Sequence, residues 1–465
     1  AFKKGYTPET TVFDLPIEFN PNCDADVAKQ EAAGDVPPPD QKNPCYHPKN
    51  YDDVFRGPIS LREALAQSIN LPAVQTLYLA GIPDSLKTAH DLGITTLNDP
   101  SRYGLTLVLG GGEVHLLDMV GAYSVFANEG IRNPVTAILK IEDAKGSALE
   151  ELKPSPTQVL DTQVARQISS VLSDNKARAP AFGEQSFLNI PGYSVAAKTG
   201  TTNDYHDAWV LGYTPNLAVG VWFGNNDNTA MEKRVAGFIA APLWNAFFQE
   251  ALKKIEKKDF VPPDPNTATK PVLTGEWRGG ITYTIDKVSG KRATEYTPPQ
   301  NRMEKPITQV HSILYWVDKN NPQGPVPQNP ASAPQFDHWE FAVRRWVASQ
   351  NIHEETVSDI PQEFDTIHRP EYAPMLVFKP EPATQFSKTG TLSFSMTISS
   401  THFPIAQIDI SLGGRFLSSL KSSPYTFSYQ LSQFQNLNPT EILTVTAYDT
   451  VGNQTTLERT LQFAD

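Results

Sequence analysis

The sequence predicts an α+β domain, then a linker region, then an all-β sandwich. Three observations predict this order. Helical apolar spacing dominates residues 60–172. Three strand patterns on short connections follow between 193 and 223, and an apolar helix closes at Leu252. Five short strand-like segments lie beyond residue 372. The expected boundaries are 1–255, 256–371 and 372–465. At 465 residues and 39% hydrophobic content, the chain exceeds one ordinary domain and can bury a sizeable core.

Residues 1–57 read as mostly loop, because Asp35-Val36-Pro37-Pro38-Pro39-Asp40 continues neither a helix nor a central strand. Ser60 and Glu63 then form a capping box ahead of Leu61, Ala64 and Leu65. That helix should stop near Ser68-Ile69-Asn70, since Pro72 restricts Leu71 and suits the first turn of a new helix. The second helix runs through Val74, Leu77 and Leu79 to Gly81. Ser68 and Asn70 therefore fall on a tight bend that can push a hydroxyl and an amide into a cleft. Further helices are expected from Leu116 toward Gly130 and from the N-cap Asp161 through Val164, Ile168, Val171 and Leu172. Strands follow at Tyr193–Thr202, Asp207–Tyr213 and Leu217–Phe223, then a helix at Gly237–Leu252. Lys253–Pro265 reads as linker, 272–298 as a short hairpin turning at Ser289-Gly290, and Trp339–Val347 as a short helix. Strands at Leu392–Ile398, Ile405–Ile410, Tyr425–Leu431, Ile442–Tyr448 and Thr455–Phe463 fit an immunoglobulin-like sandwich, although the Cys–Trp–Cys signature is missing.

Charge and cysteine content narrow the function classes. A net charge of −12 argues against a nucleic-acid partner. No apolar run of ~18 residues spans a membrane. The chain opens Ala1-Phe2-Lys3-Lys4-Gly5, with neither Met nor an apolar signal segment, so it is expected to be cut from something longer. Cys23 and Cys45 have no third cysteine to compete, and pairing them would imply an oxidising, extracytoplasmic setting. Two unrelated thiols remain the alternative; a zinc site with His47 lacks the paired ligand spacing. No metal or cofactor is expected. Gly110-Gly111-Gly112 is not followed by Lys-Ser/Thr, and His353-Glu354-Glu355 is not H-E-x-x-H. His206 beside Asp204 and Asp207 has no matching serine motif.

Two short motifs carry the chemistry. Ser68-Ile69-Asn70 sits on the helix–helix bend, and Ala197-Lys198-Thr199-Gly200-Thr201-Thr202 ends a strand with a cation, hydroxyls and open N–H groups. A second tripeptide, Lys388-Thr389-Gly390, has no Ser-x-Asn context and reads as a turn. Around the first pair stand Gly5-Tyr6-Thr7-Pro8, the run from Pro58 to Val74, Leu109-Gly110-Gly111-Gly112-Glu113-Val114, and Asp207-Ala208-Trp209. Over residues 1–250 these phrases resemble, in order and spacing, the transpeptidase domain of class A, high-molecular-mass penicillin-binding proteins. The fold implied is the penicillin-binding-protein and serine β-lactamase type.

That resemblance implies a peptidoglycan D,D-transpeptidase that works through a serine acyl-enzyme and is acylated by β-lactams. It assigns Ser68 to proton relay and Asn70 to the acyl-side amide. Lys198 supplies positive charge near Ser68 and the substrate carboxylate. Thr199 and Thr201 offer that carboxylate hydroxyls, the Thr201 N–H matches an oxyanion donor, and Gly200 leaves room for substrate along the strand, with Thr202 beside it. Stem peptides and β-lactams, with cell-wall assembly proteins, are the implied partners, on the extracytoplasmic face of a bacterial membrane. The chain departs from the family in one respect. The S-x-x-K motif that carries the nucleophile does not occur before Ser68, and is expected just upstream of Ala1, as is a glycosyltransferase domain. A carboxypeptidase, or an envelope protein with a vestigial cleft, are the alternatives.

Overall fold

A computed structural model describes residues 1–20, 23, 45–279, 282–307 and 309–464. The stretch Asp35–Asp40 lies outside the described residues. Two units result, Ala1–Gly280 with Thr308–Glu354, and Ile281–Ile307 with Glu355–Asp465.

In the first unit β1 (Thr11–Asp14) pairs antiparallel with β2 (Gly57–Ser60). The expectation of mostly loop over 1–57 holds among the described residues apart from β1 and a short helical turn at Phe2–Lys4. All four β1 residues are buried, so the strand shows no polar–apolar alternation to read. Ser60 caps α1 (Leu61–Gln67) through the reciprocal box with Glu63. The bend follows, then α2 (Asn70–Ala80) and α3 (Ile82–Leu92). Next come α4 (Leu116–Ala127), α5 (Thr162–Leu172) on its Asp161 cap, and α6 (Asn175–Phe182) on Asp174. A three-stranded antiparallel sheet is ordered β3 (Ala196–Thr201), β4 (Asp207–Thr214), β5 (Leu217–Gly224), which leaves β3 at an edge. The expected helix over 237–252 is broken at Ala240 into α7 (Ala236–Ile239) and α8 (Ala241–Leu252). Trp244 and Phe248 of α8 are fully buried with Ala197 and Val210 of the sheet.

Residues 256–371 are not a linker throughout. Val310, Ile313, Leu314 and Trp316, with Trp339, Val343 and Val347 of α9 (Phe336–Ser349), join Val12, Leu71, Val74 and Leu79 in the largest apolar core of the first unit. Their apolar residues are interrupted by Pro-rich turns, which hid a core segment behind a linker-like composition.

The second unit begins with a hairpin of β6 (Thr282–Asp286) and β7 (Arg302–Pro306), so the returning strand lies past the expected end at 298. The sandwich follows. One sheet is ordered β8 (Met375–Phe378), β10 (Thr391–Ser400), β13 (Tyr425–Gln430). The other is ordered β9 (Gln385–Ser387), β15 (Gln454–Ala464), β14 (Thr440–Asp449), β11 (Ile405–Leu412), β12 (Arg415–Leu420). β9 pairs parallel with β15; the other neighbours are antiparallel. Alternate residues such as Ile408, Ile410 and Leu412, with Leu443 and Val445 beside them on β14, share one core with Leu392, Phe394 and Phe427 of the other sheet. Lys388-Thr389-Gly390 turns from β9 into β10, with Gly390 N–H on the Ser387 carbonyl.

Among the described residues, no helix is long and apolar enough to cross a membrane. The closeness of α8 to the sheet is testable. A Cβ at Gly212 would stand 2.4 Å from Trp244 Cζ2 and 2.8 Å from the Ala196 carbonyl oxygen. Gly212→Ala is therefore expected to cost about 1–3 kcal/mol through overpacking, read as a lower urea midpoint at unchanged slope.

Candidate active site

The bend between α1 and α2 is built around an unusual residue. Ser68 closes α1 in the left-handed region, at φ 61 and ψ 45, with its N–H on the Ala64 carbonyl. A non-glycine residue held there is strained, and such strain persists only where the surroundings impose it. The imposition is visible behind the bend. Asn70 Nδ2 donates to the Lys49 carbonyl at 2.8 Å. Asn50 Oδ1 accepts the Leu71 N–H, one of the open donors at the start of α2, at 3.2 Å. Asn50 Nδ2 in turn donates to Asp14 Oδ1 at 2.6 Å, and Asp14 Oδ2 accepts the Arg56 N–H at 3.1 Å. Asp14 is wholly buried on β1. Burial raises its carboxyl pKa, while Asn50 and Arg56 pull it back.

The opposite wall is the edge strand β3. Lys198 Nζ donates to Ser68 Oγ at 2.6 Å, across a sequence separation of 130, and to the Thr199 carbonyl at 2.7 Å. Desolvation, with the Arg178 guanidinium as a smaller cause, lowers the Lys198 ammonium to about 8. Arg178 was not singled out from the sequence. It is 3% exposed on α6 and donates to the carbonyls of Leu172 at 2.9 Å and Ala197 at 3.3 Å, which pins β3 one residue before the lysine. Only its contacts reveal it; an arginine in Asn175–Phe182 carries no local signal of burial.

The remaining expected residues separate by what they already touch. A Cβ at Gly200 would meet only Trp209 Cβ, at 3.5 Å, so its outer face is open. The Thr199 hydroxyl makes no hydrogen bond among the described residues. Thr201 Oγ1 instead accepts the Ala236 N–H at 3.0 Å, tying the strand to α7. Thr202 Oγ1 is engaged with Asp207, whose other oxygen takes the Trp222 indole N–H at 2.8 Å. Thr202 therefore shapes the β3–β4 turn. His206 Nδ1 faces the Asn228 carbonyl at 2.6 Å, so this ring nitrogen has no carboxylate partner. Cys23 and Cys45 are joined in a disulfide, which removes both thiolates from metal binding.

This arrangement can move a proton along Lys198 and Ser68 and hold an anion on the open edge of β3. Its charge state is measurable. Between about pH 8 and Lys198's usual value of 10.5, the unfolded chain holds the proton and the folded chain has released it. Stability should therefore rise with pH across that window relative to Lys198→Met, measured as the difference in urea midpoints.

Comparison with known proteins gives a family match over about half of the chain. Residues 24–248 match the family model described as the penicillin binding protein transpeptidase domain. Penicillin-binding protein 1A of Aquifex aeolicus is 34% identical over 224 residues, 47% of this chain and 29% of that protein. Penicillin-binding protein 2D of Bacillus subtilis is 34% identical over 269 residues, 57% of this chain and 36% of that protein. Among solved structures, penicillin-binding protein 1A of Haemophilus influenzae aligns at 22% identity with a TM-score of 0.45, covering 65% of this chain and 45% of that one. The chain spans about a third of the length of the two curated relatives. Residues 24–248, just under half of the chain, thus carry a similarity to the transpeptidase domain of penicillin-binding proteins.

Proposed function

We propose that the chain supplies one part of the acyl-transfer site of a class A peptidoglycan synthase, which joins stem peptides at D-Ala-D-Ala. The observation that carries this reading is the 2.6 Å contact of Lys198 Nζ with Ser68 Oγ. A lysine near pKa 8 beside a serine hydroxyl is a proton relay matched to neutral or mildly alkaline pH. Ser68 passes the proton toward the leaving amine, and Asn70 orients the acyl-side amide. Lys198 and Thr199 hold the substrate's terminal carboxylate, while the Thr201 N–H serves the developing oxyanion. Thr201's hydroxyl accepts a backbone N–H and still has its own proton to donate. The acylated serine and its lysine belong to an S-x-x-K element that the parent protein supplies ahead of Ala1, together with a glycosyltransferase and a membrane anchor.

The domain division proposed is residues 1–255 for the transpeptidase and 372–465 for an immunoglobulin-like module. The module serves as a spacer or protein contact, and the net charge of −12 over the whole chain disfavours anionic wall polymers as a partner. The Cys23–Cys45 disulfide supports a site of action outside the cytoplasm.

A fluorescent penicillin applied to the N-terminally extended protein should label it covalently; the absence of labelling would exclude the transpeptidase reading. Ser68→Ala and Lys198→Ala should each slow acylation by about 10²–10⁴-fold. With a stem-peptide donor and an added amine, a cross-linked product is expected. Hydrolysis alone would assign a carboxypeptidase.

A further inference from the structure

Outside the cleft, two sets of His, Cys, Asp and Glu side chains come within metal-ligating reach among the described residues. One, Glu18 with Cys23 and Cys45, is closed by the disulfide. The other lies in the second unit and is made of Asp286, Asp365 and His368, all buried, with ligand atoms within 4.8 Å of one another. Three sequence-distant segments build it. Asp286 ends β6, Asp365 and His368 lie on the chain entering the sandwich, and the Val451 carbonyl follows β14.

The side chains are already oriented. His368 Nε2 lies 2.9 Å from the Val451 carbonyl, which can only accept, and 3.1 Å from Asn301 Nδ2, which donates to that carbonyl at 2.7 Å, so Nε2 carries a hydrogen. Nδ1 is thereby the nitrogen that faces the carboxylates, at 2.5 Å from Asp365 Oδ2 and 3.8 Å from Asp286 Oδ2. A carbonyl behind the imidazole is the usual outer partner of a ligating histidine. Asp365 is held by the Thr297 hydroxyl at 2.8 Å and the Ile367 N–H at 2.9 Å. Asp286 Oδ2 accepts the Ser289 N–H at 2.6 Å. Its Oδ1 is shut off from solvent and has no hydrogen-bond partner. Two buried carboxylates thus face a single imidazole, and no Lys or Arg pairs with either among the described residues. A buried carboxylate oxygen without a partner is costly to desolvate, so this charge calls for a cation.

We propose that Asp286, Asp365 and His368 bind a divalent cation of the zinc class. With bonds of 2.0–2.1 Å, tetrahedral ligands stand about 3.3 Å apart, between the two spacings seen here. One nitrogen and two carboxylates suit zinc better than calcium, which collects six to eight oxygens. On binding, the proton shared between His368 Nδ1 and Asp365 leaves to solvent. A cavity of about 660 Å³, lined by Asp365, His368, Thr294 and Tyr296 among others, opens beside two of the three ligands.

The test uses the full chain, stripped with a chelator, dialysed, and titrated with zinc chloride by calorimetry and with cobalt chloride by absorption. One zinc per chain and the visible bands of four- or five-coordinate cobalt are expected. Asp286→Asn, which keeps the shape, should weaken zinc at least about tenfold, and His368→Gln should remove the cobalt bands. Absence of stoichiometric zinc binding by the unaltered chain would overturn the proposal, as would octahedral cobalt alone. Calcium binding in place of zinc would overturn the assigned cation class. If both variants unfold, the unaltered chain's stoichiometry and cobalt spectrum decide the matter alone. Unchanged zinc affinity in a folded Asp286→Asn protein would place the metal elsewhere and overturn it.

Discussion

The hydrogen bond from Lys198 Nζ to Ser68 Oγ is the contact that holds the two walls of the first unit's cleft together. It joins a helix–helix bend to an edge strand. Each wall is held from behind by a buried polar group. The Asp14 carboxylate, through Asn50, secures the bend. The Arg178 guanidinium, through the Ala197 carbonyl, secures the strand. Breaking a buried, hydrogen-bonded charge typically costs about 3–5 kcal/mol, because the remaining partner is stranded. The alignment of Ser68 with Lys198 is therefore protected by interactions that touch no substrate. The same burial lowers the lysine toward 8, so structural support and chemical tuning share one cause.

The second unit uses a different economy. Its sandwich core is apolar and alternating, with Leu392, Ile408, Ile410, Leu443, Val445 and Leu461 fully buried. Its hairpin and entry segment meet through polar groups instead. His368, Asp365, Asn301 and the Val451 carbonyl form one connected set. Apolar burial there is sparse, and directional bonds take over the work of fixing register.

Much of the cleft was legible because its signals are local. The Ser60–Glu63 box announced α1, and Pro72 marked the bend that carries Ser68 and Asn70. Lys198 was readable as a strand end, but its partner was named only through a family resemblance, since 130 residues separate the two. Support from distant residues was invisible. β1 is a buried strand of four residues inside a stretch rich in Pro and Asn, and nothing near Asp14 or Arg178 distinguishes a buried charge from a solvated one. The core segment at 310–347 hid for a related reason, its apolar residues split by Pro-rich turns. Strands β8, β9 and β12 escaped because two are short and β12 has no buried residues. Thr201 and Thr202 were read as strand-end hydroxyls, yet a sequence cannot say which hydroxyl a turn has already taken.

The central claim is that Ser68 and Lys198 act as one relay. A double-mutant cycle on the N-terminally extended protein tests it most directly, with penicillin acylation rates for Ser68→Ala, Lys198→Ala and the pair. Residues that act as a unit are strongly non-additive, so the double variant should be little slower than either single one, a coupling above about 1 kcal/mol. Rate losses that simply multiply would contradict the account and leave the contact without a role in proton transfer.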